Sequence, residues 1–129
     1  FYSKMFLMFQ KEVAECIMAS PNQKTYSRIS VITQARCNVK KILYASASIF
    51  YPKPKVDGIV LEFTPILKNN DVNMLNLQKL LKKAFEHRRK KIKNSLKDYC
   101  YLLDRFEIEK NLRAENLSVQ EYCKLASFI

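Results

Sequence analysis

Met5-Phe6-Leu7-Met8-Phe9 is an unbroken apolar run that ends at Gln10-Lys11-Glu12. It predicts a strand buried on both faces, as in a parallel sheet covered by helices. Residues 11–19 continue as a short amphipathic helix with Val13, Cys16, Ile17 and Met18 inward, stopped by Pro21-Asn22. Tyr26 to Cys37 predicts a second helix with Ile29, Ile32 and Thr33 on one side. Val39–Ala45 and Ile59–Thr64 predict two strands, antiparallel to each other. In the second, Ile59, Leu61 and Phe63 alternate with Val60, Glu62 and Thr64. Strand, helix, helix, strand, loop, strand is the order expected of the second half of an α/β domain.

After Pro65 the pattern changes. Lys68 to Asn76 is polar, and no further strand signal follows, so the chain divides into an α/β part, 1–67, and a helical part, 68–129. Leu75 to about Tyr99 predicts one long helix, followed by a short helical segment near Tyr99–Phe106. Ser118-Val119-Gln120-Glu121 has the capping-box form and opens a last helix whose apolar face is Tyr122, Leu125, Ala126 and Ile129.

Between the two antiparallel strands lies Phe50-Tyr51-Pro52-Lys53-Pro54-Lys55-Val56-Asp57-Gly58. Proline at every second position fixes φ and pushes the preceding residue toward extended geometry, so this segment joins neither a helix nor a central ladder. A stiff loop holds something still, and its aromatics, Phe50 and Tyr51, are the candidates.

Composition narrows the function. Of the 129 residues 48% are apolar, which excludes a disordered tail, and 23 Lys and Arg against 12 Asp and Glu leave a net charge of +11. That excess points to a polyanionic partner, nucleic acid ahead of a membrane surface. Cys16, Cys37, Cys100 and Cys123 form no Cys-x-x-Cys pair, so no metal site is expected; with no signal peptide ahead of them, they suit a reducing, cytoplasmic location. His87 is the only histidine, which excludes chemistry built on two. Gly58 is the only glycine, and loops that cradle dinucleotides, S-adenosylmethionine or phosphate need several for close backbone approach. The chain is therefore not expected to hold a nucleotide cofactor by itself.

Cations concentrate in the long predicted helix. On an ideal wheel, Leu77, Leu81, Phe85, Ile92, Leu96 and Tyr99 share one arc. An adjacent arc of about 120° carries Lys79, Lys82, Lys83, Arg89, Lys90, Lys93 and Lys97, interrupted only by Glu86. Such a face is either solvated or a phosphate-binding stripe, and the lack of acidic i,i+4 partners favours phosphate. A membrane-surface or calmodulin-binding helix has a similar pattern, but a capped helical lobe able to cover the apolar arc argues against it. Arg88 falls on the apolar side, where it snorkels past Phe85, pairs with an acid such as Glu115, or contacts RNA.

Five strings in order carry a family resemblance: Leu7-Met8-Phe9-Gln10-Lys11-Glu12-Val13-Ala14, Lys24-Thr25-Tyr26-Ser27-Arg28-Ile29-Ser30-Val31, Phe50-Tyr51-Pro52-Lys53-Pro54-Lys55-Val56-Asp57, Ala84-Phe85-Glu86-His87-Arg88-Arg89-Lys90 and Arg113-Ala114-Glu115-Asn116-Leu117-Ser118-Val119. Together they resemble the ribosomal RNA adenine dimethyltransferases, the last two looking like the bacterial small-subunit branch. The resemblance implies the C-terminal half of a seven-stranded, Rossmann-like S-adenosylmethionine-dependent methyltransferase sheet followed by a small all-helical domain. It also implies that the acidic-Gly-x-Gly cofactor loop and the Asn-Leu-Pro-Tyr catalytic motif belong to sequence before Phe1.

The implied reaction is transfer of two methyl groups to each of two adjacent adenosines of small-subunit rRNA, on bases turned out of their stack. The resemblance assigns Phe50, with Pro52 beside it, to the wall of the target-adenine pocket. Without it, Phe50 reads as a hydrophobic plug under the last strand pair. It carries ribosome docking onto Arg88, Arg89 and Lys90, while Lys24, Tyr26 and Arg28, after Pro21-Asn22 at the mouth where substrate would enter, suit a phosphate role, for which a plain helix start is the competing reading. The expectation is a monomer that binds small-subunit rRNA, with no membrane or metal, and is inactive alone; the alternative is a non-enzymatic RNA-binding module on the same scaffold. Ser27 where the family has Gly, Ala45-Ser46-Ala47-Ser48 for a proline-rich approach, and Lys53 for a proline depart from the pattern.

Overall fold

The computed structural model describes residues 3–66 and 72–129. The boundary drawn between residues 67 and 68 lies outside the described residues. Three strands, β1 (Met5–Gln10), β2 (Cys37–Ala45) and β3 (Gly58–Pro65), form one sheet in the order β1-β3-β2. Both pairings are antiparallel, with Leu7 opposite Leu61 and Val39 opposite Phe63.

The alternation in β3 decides why it is central. Ile59, Leu61 and Phe63 are buried against Ala14 and Ile17 of helix α1 (Lys11–Met18), and Phe9 meets Phe63 edge to face at 5.9 Å between ring centroids. On the other side of β3, Glu62 is compensated by Lys4, 3.0 Å away. Val13, expected inward on α1, is exposed, and Ala14 takes that place.

Strand β1 corrects the first expectation. Its pairing is antiparallel and it lies at the sheet edge, so Met5, Phe6, Leu7 and Met8 are all 42–55% exposed rather than buried on both faces. The apolar run fits a central strand, and among the described residues only β3 flanks it.

The connection from α1 to α2 (Arg28–Arg36) is tied by side chains. The Ser30 hydroxyl donates to the Cys16 carbonyl, and the Gln34 amide donates to the Ile17 and Ala19 carbonyls at 2.9 and 2.8 Å. These donors add to the Ala19 amide on the Cys16 carbonyl and satisfy the carbonyls of Ile17 and Ala19 at the end of α1. Within α2, Ser30, Val31 and Ala35 are the buried residues, while Ile29, expected to face inward, is exposed.

The helical lobe contains α3 (Met74–Glu86), α4 (Ile92–Ser95), α5 (Cys100–Arg105) and α6 (Val119–Ala126), with 3-10 turns at Lys97–Tyr99 and Ala114–Asn116. Asn73 caps α3 by accepting from the Leu75 and Asn76 amides. The capping box predicted at α6 is formed, with the Glu121 amide donating to Ser118 Oγ at 3.1 Å and the Ser118 amide to Glu121 Oε1 at 2.9 Å.

The single helix expected from Leu75 to Tyr99 is not formed. Helix α3 ends at Glu86, His87–Lys90 turn, and Ile92 starts a separate short helix after Lys91 bridges Arg113. A straight helix over that span would run roughly 37 Å. Folding back instead buries Ile92 and Leu96 completely, in one core with Leu77, Leu81, Leu103, Leu117 and Leu125. Full burial of each such side chain contributes about 1.5–3 kcal/mol, enough to outweigh the helical hydrogen bonds lost in one turn.

That core also takes in Ala19, Tyr26, Val31 and Ala35. The second helix of the α/β part therefore packs into the helical lobe. Phe85 links the two by ring contacts, 6.0 Å from Tyr26 and 5.9 Å from Tyr122. The Tyr26 hydroxyl donates to the Leu117 carbonyl at 2.8 Å and the Tyr122 hydroxyl to the Ala114 carbonyl at 2.5 Å. Burial pushes both tyrosine pKa values well above the ordinary phenolic range.

Candidate nucleic-acid interface

The loop from Ser46 to Asp57 leaves β2 and returns as β3. It begins as a 3-10 turn, Ala47–Ile49, in which the Phe50 amide donates to the Ala47 carbonyl at 3.3 Å. Phe50 is half-buried and Tyr51 fully exposed, which separates two aromatics that look equivalent in sequence. A groove of about 250 Å³ runs beneath the loop, lined by Phe9 and Gln10 at the end of β1 and by Phe50, Pro54, Val56 and Gly58. Pro52 is exposed and does not line it; Pro54 does.

Sequence reasoning missed the residue that ties this loop down. The Asp57 carboxylate accepts from the Tyr44 hydroxyl and from the Ala47 amide, the latter at 2.7 Å, and the Asp57 carbonyl accepts from the Lys11 amide at 2.9 Å. The Tyr44 and Ala47 bonds, with Lys11 and Lys53 nearby, hold the Asp57 carboxyl below the usual aspartate pKa, while the same bond raises that of Tyr44. The available signal was an aspartate next to a glycine at the start of a strand, a turn-forming pair.

Because the long helix is broken, the predicted cations do not share one helical face. Lys79, Lys82 and Lys83 lie on α3, Arg89 and Lys90 in the turn after it, Lys93 on α4 and Lys97 in the following 3-10 turn. Folding nevertheless brings three of the predicted residues together: Arg28 of α2 joins Lys79 and Lys82 along a groove of about 420 Å³ floored by Ile32 and Leu75, with Gln78 beside them. Among the described residues no acid lines that groove.

Elsewhere the cations have different surroundings. Lys83 is bound to Asp98 at 3.0 Å and lies 5.2 Å from the Tyr99 ring centre; the Asp98 bond raises its pKa. Lys93 lines a depression together with Asp104, Glu107 and Glu109, which weakens its claim on a phosphate. Lys24, Arg89, Lys90 and Lys97 are exposed. Arg88 is half-buried: its guanidinium donates to the Lys24 carbonyl at 2.8 Å and to Glu115 and the Gln23 carbonyl at 3.3 Å, and lies 5.8 Å from the Phe85 ring centre.

These features define an α/β protein whose three-stranded sheet ends in a proline-stiffened aromatic loop and whose helical lobe carries a basic groove. The chain belongs to the ribosomal RNA adenine dimethylase family, whose model matches residues 1–129. It is 42% identical over 131 aligned residues to the ribosomal RNA small subunit methyltransferase A of Anaplasma phagocytophilum, covering 98% of this chain and 49% of that protein. It is likewise 42% identical to the Serratia proteamaculans protein of the same name, covering 97% of this chain and 47% of the relative. A crystal structure of a dimethyladenosine transferase from Plasmodium falciparum superposes with a TM-score of 0.84 at 25% identity, covering 95% of this chain and 55% of that one. The chain thus spans about half the length of the curated relatives it matches.

The family's methyl donor is S-adenosylmethionine, and Gly58 offers it no open backbone cradle. A Cβ added at Gly58 would stand 3.2 Å from Met8 Sδ, so the space beside that glycine is already filled by a side chain. Among the described residues no group of three or more His, Cys, Asp or Glu could hold a metal ion, and no helix is long and apolar enough to cross a membrane.

Proposed function

We propose that this chain is the C-terminal part of an rRNA adenine N6-dimethyltransferase. In this reading the loop at Phe50 supplies one wall of the pocket that receives a flipped adenine of small-subunit rRNA, and the helical lobe docks on the rRNA backbone. The sheet is the second half of a seven-stranded methyltransferase sheet, with residues 1–67 as the catalytic-domain part and 68–129 as the docking domain. S-adenosylmethionine acts in the complete enzyme, in the cytoplasm; the isolated chain is a monomer that binds RNA and transfers no methyl group.

The observation that carries the reading is the half-buried Phe50 ring at the mouth of an apolar groove, on the same molecule as the cationic groove of Arg28, Lys79 and Lys82, which no described acid lines. An aromatic face receives an unstacked base, and lysine and arginine side chains along an apolar floor suit a phosphate-sugar strand. Exposed Lys24, Arg89, Lys90 and Lys97 extend the positive surface, while the contacts of Lys83, Lys93 and Arg88 leave them smaller parts in it.

Fusing this chain behind the first half of a curated relative tests the proposal. The fusion should methylate small-subunit rRNA precursors, and Phe50→Ala should lower turnover at least tenfold while RNA affinity changes less than twofold. A fusion that binds the RNA but transfers no methyl group under any donor concentration would favour the non-enzymatic RNA-binding module instead.

A further inference from the structure

The prolines stiffen the loop at Phe50, but stiffness does not fix where a loop points. Fixed φ values make residues 51–56 move as a unit, and that unit still swings about its two ends. Among the described residues, 51–56 form no hydrogen bond or ion pair with the rest of the chain. The orientation of the segment is therefore set at its ends, and Asp57 acts on both.

One carboxylate oxygen takes the Tyr44 hydroxyl at the end of β2, and the other takes the amide of buried Ala47 at the start of the loop. The Asp57 backbone carbonyl meanwhile takes the Lys11 amide at the β1–α1 junction, beside the Phe9 and Gln10 end of the groove. Ala47 in turn accepts the Phe50 amide, so any displacement of Ala47 moves the Phe50 backbone with it. An ionised carboxylate is suited to this span because it accepts on two oxygens from two separated donors. Removing it leaves the Ala47 amide without its partner in a buried position.

We propose that Asp57 is a positioning residue, whose carboxylate fastens the start of the loop to its end and thereby sets the stance of the Phe50 ring over the groove. The inference rests on the reading of Phe50 as the adenine wall for its functional consequence, and on geometry alone for the latch.

The two parts are tested separately. In this chain, Asp57→Ala should speed amide exchange of residues 46–50 at least tenfold and tryptic cleavage after Lys55 severalfold, Lys53 being protected by the proline that follows it. Asp57→Asn should be intermediate, and exchange across residues 77–84 should stay as in the parent chain. Unchanged exchange at 46–50 overturns the latch. Should the alanine variant fail to fold, Tyr44→Phe removes one of the two carboxylate bonds and should speed the same exchange about threefold; unchanged rates in both Tyr44→Phe and Asp57→Asn overturn the proposal equally.

In the fusion enzyme, Asp57→Ala should lower kcat at least tenfold with the KM for S-adenosylmethionine unchanged, and Asp57→Asn should recover part of the loss. Full turnover in Asp57→Ala, alongside a Phe50→Ala variant that has lost it, overturns the positioning role while leaving the adenine-wall reading in place. Full turnover in Phe50→Ala removes the adenine-wall reading and with it any catalytic consequence of the stance, and the exchange rates then decide the latch alone.

Discussion

Arg88 lies 3.3 Å from Glu115, joining the turn after α3 to the 3-10 turn ahead of α6, and the same guanidinium reaches the Lys24 carbonyl at 2.8 Å. One side chain thus closes three separate segments on one another. Two of the three roles open to it in the sequence, packing along Phe85 and pairing with Glu115, are realised together.

Arg88→Ala should destabilise the chain by about 1–2 kcal/mol in urea denaturation, the loss of charge-assisted bonds in a half-exposed setting. Arg88→Lys should recover less than half, because a compact ammonium lacks the flat guanidinium that lies by the Phe85 ring while its Nη2 reaches two carbonyls and Glu115. Arg89→Ala, at an exposed position, should stay within about 0.5 kcal/mol of the parent.

Tyr26→Phe leaves the Leu117 carbonyl without its buried donor and should cost about 1–2 kcal/mol by the same measurement. The two buried tyrosines also set an alkaline limit. Their pKa values are raised by burial, so their contribution is complete below the ordinary phenolic value of about 10 and is lost as pH rises above it. Urea midpoints should fall steeply from about pH 10 upward, and less steeply in Tyr26→Phe.

Replacing Arg28, Lys79 and Lys82 together by alanine should reduce the slope of log affinity against log salt by about two units for an rRNA hairpin, since each phosphate contact contributes roughly 0.7–0.9. Lys93→Ala, among the acids of its depression, should leave the slope nearly unchanged. A slope change for Lys93→Ala of about one third that of the triple variant would mean that total charge, rather than the α2–α3 groove, governs binding.

The Asp57 carboxyl sits below the usual aspartate pKa, so its bonds to Tyr44 and Ala47 are complete above the ordinary value of about 4 and are lost as pH falls through the lower folded value. Cleavage after Lys55 by an acid-stable protease of lysine specificity should stay slow down to about pH 4 and accelerate below it. Asp57→Asn should abolish that acceleration.

Much of this architecture was legible locally. Alternation in Ile59, Leu61 and Phe63 marked the buried face of β3, Ser118 and Glu121 marked the start of α6, and the prolines marked a loop between two antiparallel strands. Each signal acts within a few residues through pleat, cap or fixed φ. The candidate surface was less legible, because a wheel assumes an unbroken helix. It placed Lys90, Lys93 and Lys97 in one stripe with Lys79, whereas the chain turns at His87–Lys90. It also had no means of joining Arg28 to Lys79 and Lys82, which lie on different helices.

By itself, then, the sequence determined where the three strands and the first and last helices lie, the cap of α6, the positive charge and the stiff loop, all of which follow from composition and short-range spacing. Tertiary structure decided where α3 stops, because burying Ile92 and Leu96 beside Leu77 and Leu81 outweighs continuing the helix. It decided that α2 shares the helical core, through Tyr26 and Leu117, far apart in the chain. It also decided that Asp57 fastens the loop of Phe50, since a hydrogen bond between Asp57 and Ala47 depends on how two strands bring the loop ends together, which no local pattern records.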